Sequence, residues 1–430
     1  MPGQQERPWP ITVHEAWLPE EHPLHRPRHG GRQRVALAAA AVFFLTPVLA
    51  LGVGVRPAKF ENRALTPAPS ISSGWGFFTG LAAWATDELP FRDVAVRFND
   101  RLSRDVFGES SLVDNRRPAS GPVVAPVAPP AAADVQLPVA GYPKVIEGTD
   151  GWLYYGYDVE GKCAPLRPLD DVLRGLGRLR AAVEASGRRF VLVVAPDKTT
   201  VVPEHLPGSF IGRQCAQARS AQFWHRMNTE ADAIDLRPAL GALAKAGVPV
   251  FNKLDTHWTD AGSLTMVRAL ADTVTPGVSR SWRVEPAGQR PLDADLPRLL
   301  GRSGTDQVPM YSLAPDGQRD RTGPYLGHMR TPYHFGSAPT SGMVRTPVSM
   351  VTDSFSLPAS RYLGAAFSDL TAVYYETADT NLDEVANVLA SGKVVIFEVV
   401  ERDLAGGLPH LLDDAAIDHV AAVLKARPVN

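Results

Sequence analysis

Phe190-Val191-Leu192-Val193-Val194-Ala195 is the stretch on which the fold turns. Its six residues are all apolar, and three of them are valine. A half-exposed antiparallel strand would alternate apolar with polar. An unbroken apolar run suits a strand covered on both faces, as in a parallel sheet between layers of helices. The surroundings agree. Val172, Leu173, Leu176, Leu179 and Val183 precede it at helical spacing, and Ser186-Gly187 supplies a stop. Further helical patterns cover 236–246, 264–274, 382–389 and 415–424. Strand candidates lie at 348–351, 370–375 and 394–400. Another lies at 248–254, weakened by Pro249, which cannot donate to a ladder. Residues 145–155 read as a hairpin turning at Thr149-Asp150-Gly151. Strands alternating with helices predict an α/β fold, a parallel sheet with helices on both faces. Ligands of such sheets bind outside the carboxyl ends of the strands.

Composition adds bounds. The chain has 430 residues, 44% hydrophobic and 21% charged, with a formal net charge of -2. Those values are ordinary for a globular protein, and nothing in them suggests a nucleic-acid partner. Residues 35–55 (VALAAAAVFFLTPVLALGVGV) carry no charge. As a helix they would span roughly 30 Å, the thickness of a bilayer core. Arg26, Arg28, Arg32 and Arg34 precede them. That bias predicts an uncleaved signal anchor with a cytoplasmic N-terminus, and everything after it outside the cytoplasm. A buried core helix and a cleaved signal peptide are the alternatives. Five segments follow: a polar tail over 1–34, the anchor over 35–55, and a membrane-proximal helical segment over 56–117. A Pro/Ala-rich linker over 118–140 and a catalytic-looking domain over 141–430 complete the chain. Cys163 and Cys215, both beyond the anchor, are expected to form one disulfide; two separate buried thiols are the alternative.

Two short strings suggest chemistry. Asp255-Thr256-His257-Trp258 and Thr352-Asp353-Ser354-Phe355 each follow an apolar run. A serine at a strand end can expose its hydroxyl, but that hydroxyl needs a base. His257 can be the base, and Asp255, two residues earlier, can fix its tautomer. An Asp-x-His pair can also bind metal, but no third ligand follows at a clear spacing, so no metal is expected. Neither string decides alone, since His257 could be a satisfied buried histidine and Ser354 a cap. Lys198, beside Asp197 at the end of the 190–195 strand, either lines the site or caps the strand. Trp258 could stack on a sugar ring or pack. Tyr375, with Tyr374, could donate to an oxyanion or a sugar, or pack. Glu401 and Arg402 read as a structural ion pair.

Taken in order, these segments resemble the AlgJ/AlgX alginate O-acetyltransferase family. Asp255-Thr256-His257-Trp258-Thr259 with Gly262 is similar to its D-x-H-W-T-x-x-G segment. Asp87-Glu88-Leu89-Pro90-Phe91-Arg92, Gly148 to Leu153, Ala195 to Glu204, Thr352 to Phe355 and Glu401 to Leu404 resemble further family elements. The resemblance spans about residues 60–405. It implies an SGNH-hydrolase-like fold in which acid and base precede the serine, the reverse of the ordinary order. Family roles would fall on Ser354 as nucleophile, His257 as base and Asp255 as orienting acid. Thr352 replaces the glycine of a G-D-S block, and no G-x-N-D element is evident, so the oxyanion donors are not legible. No room for the carbohydrate-binding module of AlgX is seen, so the closer likeness is expected to be AlgJ. The implied function is a membrane-anchored, extracytoplasmic polysaccharide O-acetyltransferase without a cofactor. Its acceptor would be a cell-surface or exported polysaccharide, and a membrane-bound O-acyltransferase would supply acetyl. A carbohydrate acetylesterase and a non-catalytic polysaccharide-binding or assembly protein are the alternatives.

Overall fold

The computed structural model describes residues 31–53, 70, 77, 84 and 141–429. The expected tail up to residue 30, most of the 56–117 segment and the 118–140 linker lie outside the described residues. The chain divides into two compact units. The first contains a helix, Gly31–Gly52, whose start lies four residues before the expected anchor. A run of alanines at 38–41 favours helix. Val35, Leu37, Val42, Leu45 and Leu49 on it are exposed. Among the described residues no helix is long and apolar enough to cross a membrane.

The second unit is built on a six-stranded sheet. Its strands are β3 (Arg189–Ala195), β4 (Ala233–Asp235), β7 (Tyr333–Gly336), β8 (Val348–Thr352), β9 (Asp369–Tyr374) and β10 (Val394–Val400), in the order β4-β3-β10-β8-β9-β7. Two antiparallel pairs accompany it: β1 (Val145–Glu147) with β2 (Leu153–Tyr155), and β5 (Arg283–Asp293) with β6 (Thr305–Ala314). The β1–β2 turn falls at Thr149–Gly151, with Asp150 and Gly151 at positive φ.

The central strands are buried on both faces, as their unbroken apolar runs require. Along β3, Val191, Val193 and Ala195 enter one core, and Phe190, Leu192 and Val194 the other. The first core is closed by helices Asp260–Val274 and Ser356–Ala366, through Met266, Leu270, Tyr362 and Leu363. The second is closed by helices Leu169–Ala185, Arg213–Glu230, Leu382–Leu389 and Asp414–Lys425. Each large apolar side chain so buried contributes about 1.5–3 kcal/mol.

Two expectations are corrected. The sheet is mixed, because β7 pairs antiparallel with β9 at one edge. Residues 248–254 form no strand beyond a single bridge, Phe251 to Trp258. Pro249 lacks an amide proton, and the place beside β3 goes to β4, three half-buried residues too short to read as a pattern. The β5–β6 pair is also new. Its largely exposed β5, interrupted by Pro286, Gly288 and Pro291, has no alternation to recognise.

Candidate active site

Ser354 lies in the turn between the end of β8 and helix Ser356–Ala366. Asp353 shapes this turn. Its carboxylate accepts from the Phe355 amide at 2.8 Å and from the Val400 amide, at the end of β10, at 2.7 Å. Glu398, on β10, accepts from the Thr352 hydroxyl, from the Ser356 hydroxyl at 3.0 Å and from the Asp353 amide at 3.2 Å. Burial, and then the charge of Glu398, pushes the Asp353 carboxyl well above the usual range. Burial also raises Glu398, although its three donors oppose the shift. The threonine standing where a G-D-S block has glycine thus has a partner, a buried carboxyl one strand away.

His257 is held differently. Its loop closes through the Thr259 amide donating to the Val250 carbonyl at 3.0 Å, beside the Phe251–Trp258 bridge. The Asn252 amide group donates to the carbonyls of His257 and Trp258 at 3.1 and 3.0 Å. Lys198 sits behind the loop. Its ammonium donates to the carbonyls of Leu153, Lys253 and Asp255 at 2.6, 2.9 and 3.1 Å. The Thr259 hydroxyl accepts from the Gly262 amide at 3.4 Å and starts helix Asp260–Val274.

The loop and the turn are fastened to each other. The Trp258 indole N–H donates to the Phe355 carbonyl at 2.8 Å. The Phe355 ring lies 5.2 Å from the His257 ring and 5.1 Å from the Trp258 ring, centroid to centroid. With this in place, His257 Nε2 is 3.0 Å from Ser354 Oγ and His257 Nδ1 is 2.8 Å from Asp255 Oδ1. The His257 amide also donates to Asp255 Oδ1, at 2.9 Å.

The electrostatics assign the protons. Burial opposes ionisation of Asp255, yet hydrogen bonds from His257, its charge and the Asp295 amide hold the carboxyl down at about 2. Asp255 is therefore an acceptor, Nδ1 carries a proton, and Nε2 is left to accept from the Ser354 hydroxyl. Burial lowers the pKa of His257, but the Asp255 hydrogen bond and charge, with the charge of Asp295, outweigh it and raise the ring above its ordinary value.

Asp295 was not singled out from the sequence. It opens the short helix Asp295–Leu299, and its Oδ2 lies 3.8 Å from His257 Nδ1. Burial and the neighbouring Asp255 charge raise it to about 7. Asp255, His257 and Asp295 come within 4.8 Å of one another, but Nδ1 is bonded to Asp255 and Nε2 faces Ser354, so they form a hydrogen-bonded cluster and not a metal-ligand set. Asp295 is thus the third group that spacing alone did not reveal. A lone aspartate 38 residues beyond His257 carries no local signal.

A buried ionic cluster lies at the carboxyl ends of β3 and β10. Lys162 meets Asp197 at 2.6 Å and Glu401 at 3.1 Å, while Arg402 meets Asp197 at 3.4 Å and Asp158 at 3.5 Å. Glu401 and Arg402 therefore pair with other residues and not with each other. The Arg402 guanidinium lies 5.0 Å from the Phe355 ring centre. Lys162 adjoins Cys163, which is bonded to Cys215 on helix Arg213–Glu230.

The three residues expected to face substrate are all buried. Lys198 is 1% exposed, and burial pulls its pKa to about 8 against the charges of Asp255 and Asp295. It binds backbone, joining the Leu153 carbonyl of β2 to the Lys253 and Asp255 carbonyls of the irregular loop. Trp258 is fully buried and spends its N–H on Phe355. Tyr375 is 3% exposed and donates to Asp403 at 2.8 Å.

Parts of the chain are similar to known proteins. A family model described as SGNH hydrolase-like domain, acetyltransferase AlgX matches residues 145–338. The matched span includes Asp255, His257 and Asp295 and stops before Ser354. The "Probable alginate O-acetylase AlgJ" of Pseudomonas putida is 26% identical over 299 residues, covering 64% of this chain and 74% of that protein. The protein of the same name from Pseudomonas aeruginosa is 36% identical over 148 residues, covering 33% and 35%. The chain thus spans only about a third of the second relative. Among solved structures, the O-acetyltransferase domain of Pseudomonas putida AlgJ aligns with 66% of this chain and 100% of that domain, at 20% identity and a TM-score of 0.42. The α/β fold is that of an SGNH-hydrolase-like protein. Over residues 145–338 the chain is similar to the AlgX acetyltransferase domain, and the two curated relatives are described as probable alginate O-acetylases AlgJ.

Proposed function

We propose that the protein is a membrane-anchored, extracytoplasmic polysaccharide O-acetyltransferase working through an acetyl-serine. The observation that carries this reading is the continuous path Asp255–His257–Ser354, with links of 2.8 and 3.0 Å. His257 Nε2 takes the Ser354 proton as Oγ attacks the acetyl carbonyl. Asp255 stabilises the imidazolium that forms. The imidazolium then protonates the leaving group as the tetrahedral intermediate collapses to acetyl-serine. In the second half, His257 deprotonates a sugar hydroxyl, which attacks the acetyl-serine and leaves Ser354 free. The Phe355 amide is committed to Asp353. The amide of Ser354 itself is the neighbouring backbone donor suited to the developing oxyanion.

The acceptor is an exported or cell-surface polysaccharide, and alginate is one polymer of that class, by the names of the relatives. The donor is a membrane-bound O-acyltransferase, since acyl donors are cytoplasmic and this site is outside. The anchor is the uncharged stretch over 35–55, a reading that rests on the sequence.

The test uses the full chain in detergent with an activated aryl acetate, with and without oligosaccharide. Acetylated sugar, lost in Ser354→Ala, is expected. Turnover to water alone, unaffected by sugar, would assign a carbohydrate acetylesterase with the same triad. Wild-type rates in Ser354→Ala would rule out the serine mechanism and leave a binding or assembly role. Protease added from outside intact spheroplasts should digest the domain after residue 56; its protection would overturn the orientation.

A further inference from the structure

Two carboxylates, and not one, face the Nδ1 side of His257. Asp255 Oδ1 is at 2.8 Å and Asp295 Oδ2 at 3.8 Å. Their backbones are cross-bonded. The Thr256 amide donates to Asp295 Oδ1 at 2.8 Å, and the Asp295 amide donates to Asp255 Oδ2 at 3.1 Å. Each aspartate is therefore fixed by the segment that carries the other. Asp295 comes from the element after β5, and Asp255 from the loop before helix Asp260–Val274, so this pairing is tertiary and not a local turn.

We propose that Asp295 is a positioning residue that sets the pH range over which His257 serves as base. The inference rests on the serine mechanism above and assigns its pH control. When Ser354 gives up its proton, a positive charge appears on the imidazole. An ionised Asp295 adds a second negative charge beside that imidazolium; a protonated Asp295 does not. The site thus has two forms, differing by one proton on Asp295 and in the basicity of His257. Other charges face the same group. Lys198, from helix Lys198–Val201, feels both carboxylates and also Asp306 of β6, whose side chain accepts from the Leu254 amide at 2.9 Å. Arg402, from helix Glu401–Ala405, acts on His257 in the opposite sense to the carboxylates. Asp255 remains ionised throughout, held at about 2, so Asp295 is the carboxylate that changes state near neutrality.

The experiment follows the His257 ring by NMR and, in parallel, acylation by an activated aryl acetate, from about pH 5 to about pH 9. In the wild-type protein the His257 curve should show two inflections, because Asp295 titrates beside it. Asp295→Asn keeps an acceptor for the Thr256 amide but removes the charge. It should lower the His257 titration, and with it the acid limb of kcat/KM, by about one unit, with KM unchanged. Asp295→Glu should restore part of that shift. A single wild-type inflection overturns the proposal whether or not the variants fold, and so does an Asn variant that titrates like wild type. Because the ring signal does not need turnover, these results stand apart from the nucleophile assignment, which Ser354→Ala tests separately.

Discussion

Ser354 stands on a strand-to-helix turn, whereas His257 stands on a loop that no ladder supports. The turn inherits its position from β8, flanked by β10 and β9 in register, and two buried carboxyls refine it. The loop is placed by side chains reaching in from elsewhere: Lys198, Asn252 and Asp295. The difference teaches where the site is fragile. Removing a polar partner from the turn leaves a sheet behind it; removing one from the loop takes a partner from a backbone amide or carbonyl that no ladder holds.

The comparison can be broken at its centre first. Ser354→Ala removes the atom on which both halves converge, so the acyl-enzyme burst should vanish and turnover should fall about 10⁶-fold, with the melting temperature nearly unchanged. A stopped-flow burst measurement reads this directly. Lys198→Met should separate the two halves. The Leu153 and Asp255 carbonyls lose this donor, while that of Lys253 keeps the Leu153 amide, so urea unfolding should show a loss of about 3 kcal/mol. Acylation should drop about tenfold or more as Asp255 loosens.

A smaller effect comes from pH. Asp255 is depressed in the folded state, to about 2 from an ordinary 3.8. Its contribution is fully present above the unfolded value and is lost as pH falls through the folded one. Between about pH 5 and about pH 2, wild type should lose about 2 kcal/mol more than Asp255→Asn, measured by denaturant titration at each pH. The smallest effect belongs to the turn. Glu398 is raised by burial and acts mainly as an acceptor, so Glu398→Gln should change stability by less than about 1 kcal/mol. Loss of more than about 3 kcal/mol there would mean the turn is no more robust than the loop.

The same contrast governs what the sequence made legible. The apolar runs of β3 and β10 and the helix over 382–389 show their burial directly, because the apolar residues of those strands all meet a core. Ser354 and the Asp-x-His pair were found as short strings, and the structure brings them within hydrogen-bond reach. Asp295, Glu398 and the true partners of Lys198 were not found. Each acts across a long sequence separation, and a single polar residue has no periodicity. The edges misled for a related reason: β4 is too short and β7 too exposed to carry a pattern. Burial decides between the two readings of Trp258 and Tyr375 in favour of packing, and their polar tips satisfy buried partners.

The order of the sheet has a consequence for how the molecule is made. β10 lies between β3 and β8, although it is the last of the ten strands to be synthesised. Until residues 394–400 emerge, β3 and β8 have no common neighbour and the nascent sheet is two separate fragments. The turn that carries Ser354 also lacks its partners Glu398 and the Val400 amide before that strand arrives. Folding of such distant pairings is slow, and its intermediates expose apolar strand edges. A ribosome stalled before residue 394 should therefore carry a chain that is helical in places, sensitive to protease and unreactive toward an acyl ester, and release of the remaining segment should complete the sheet in one cooperative step.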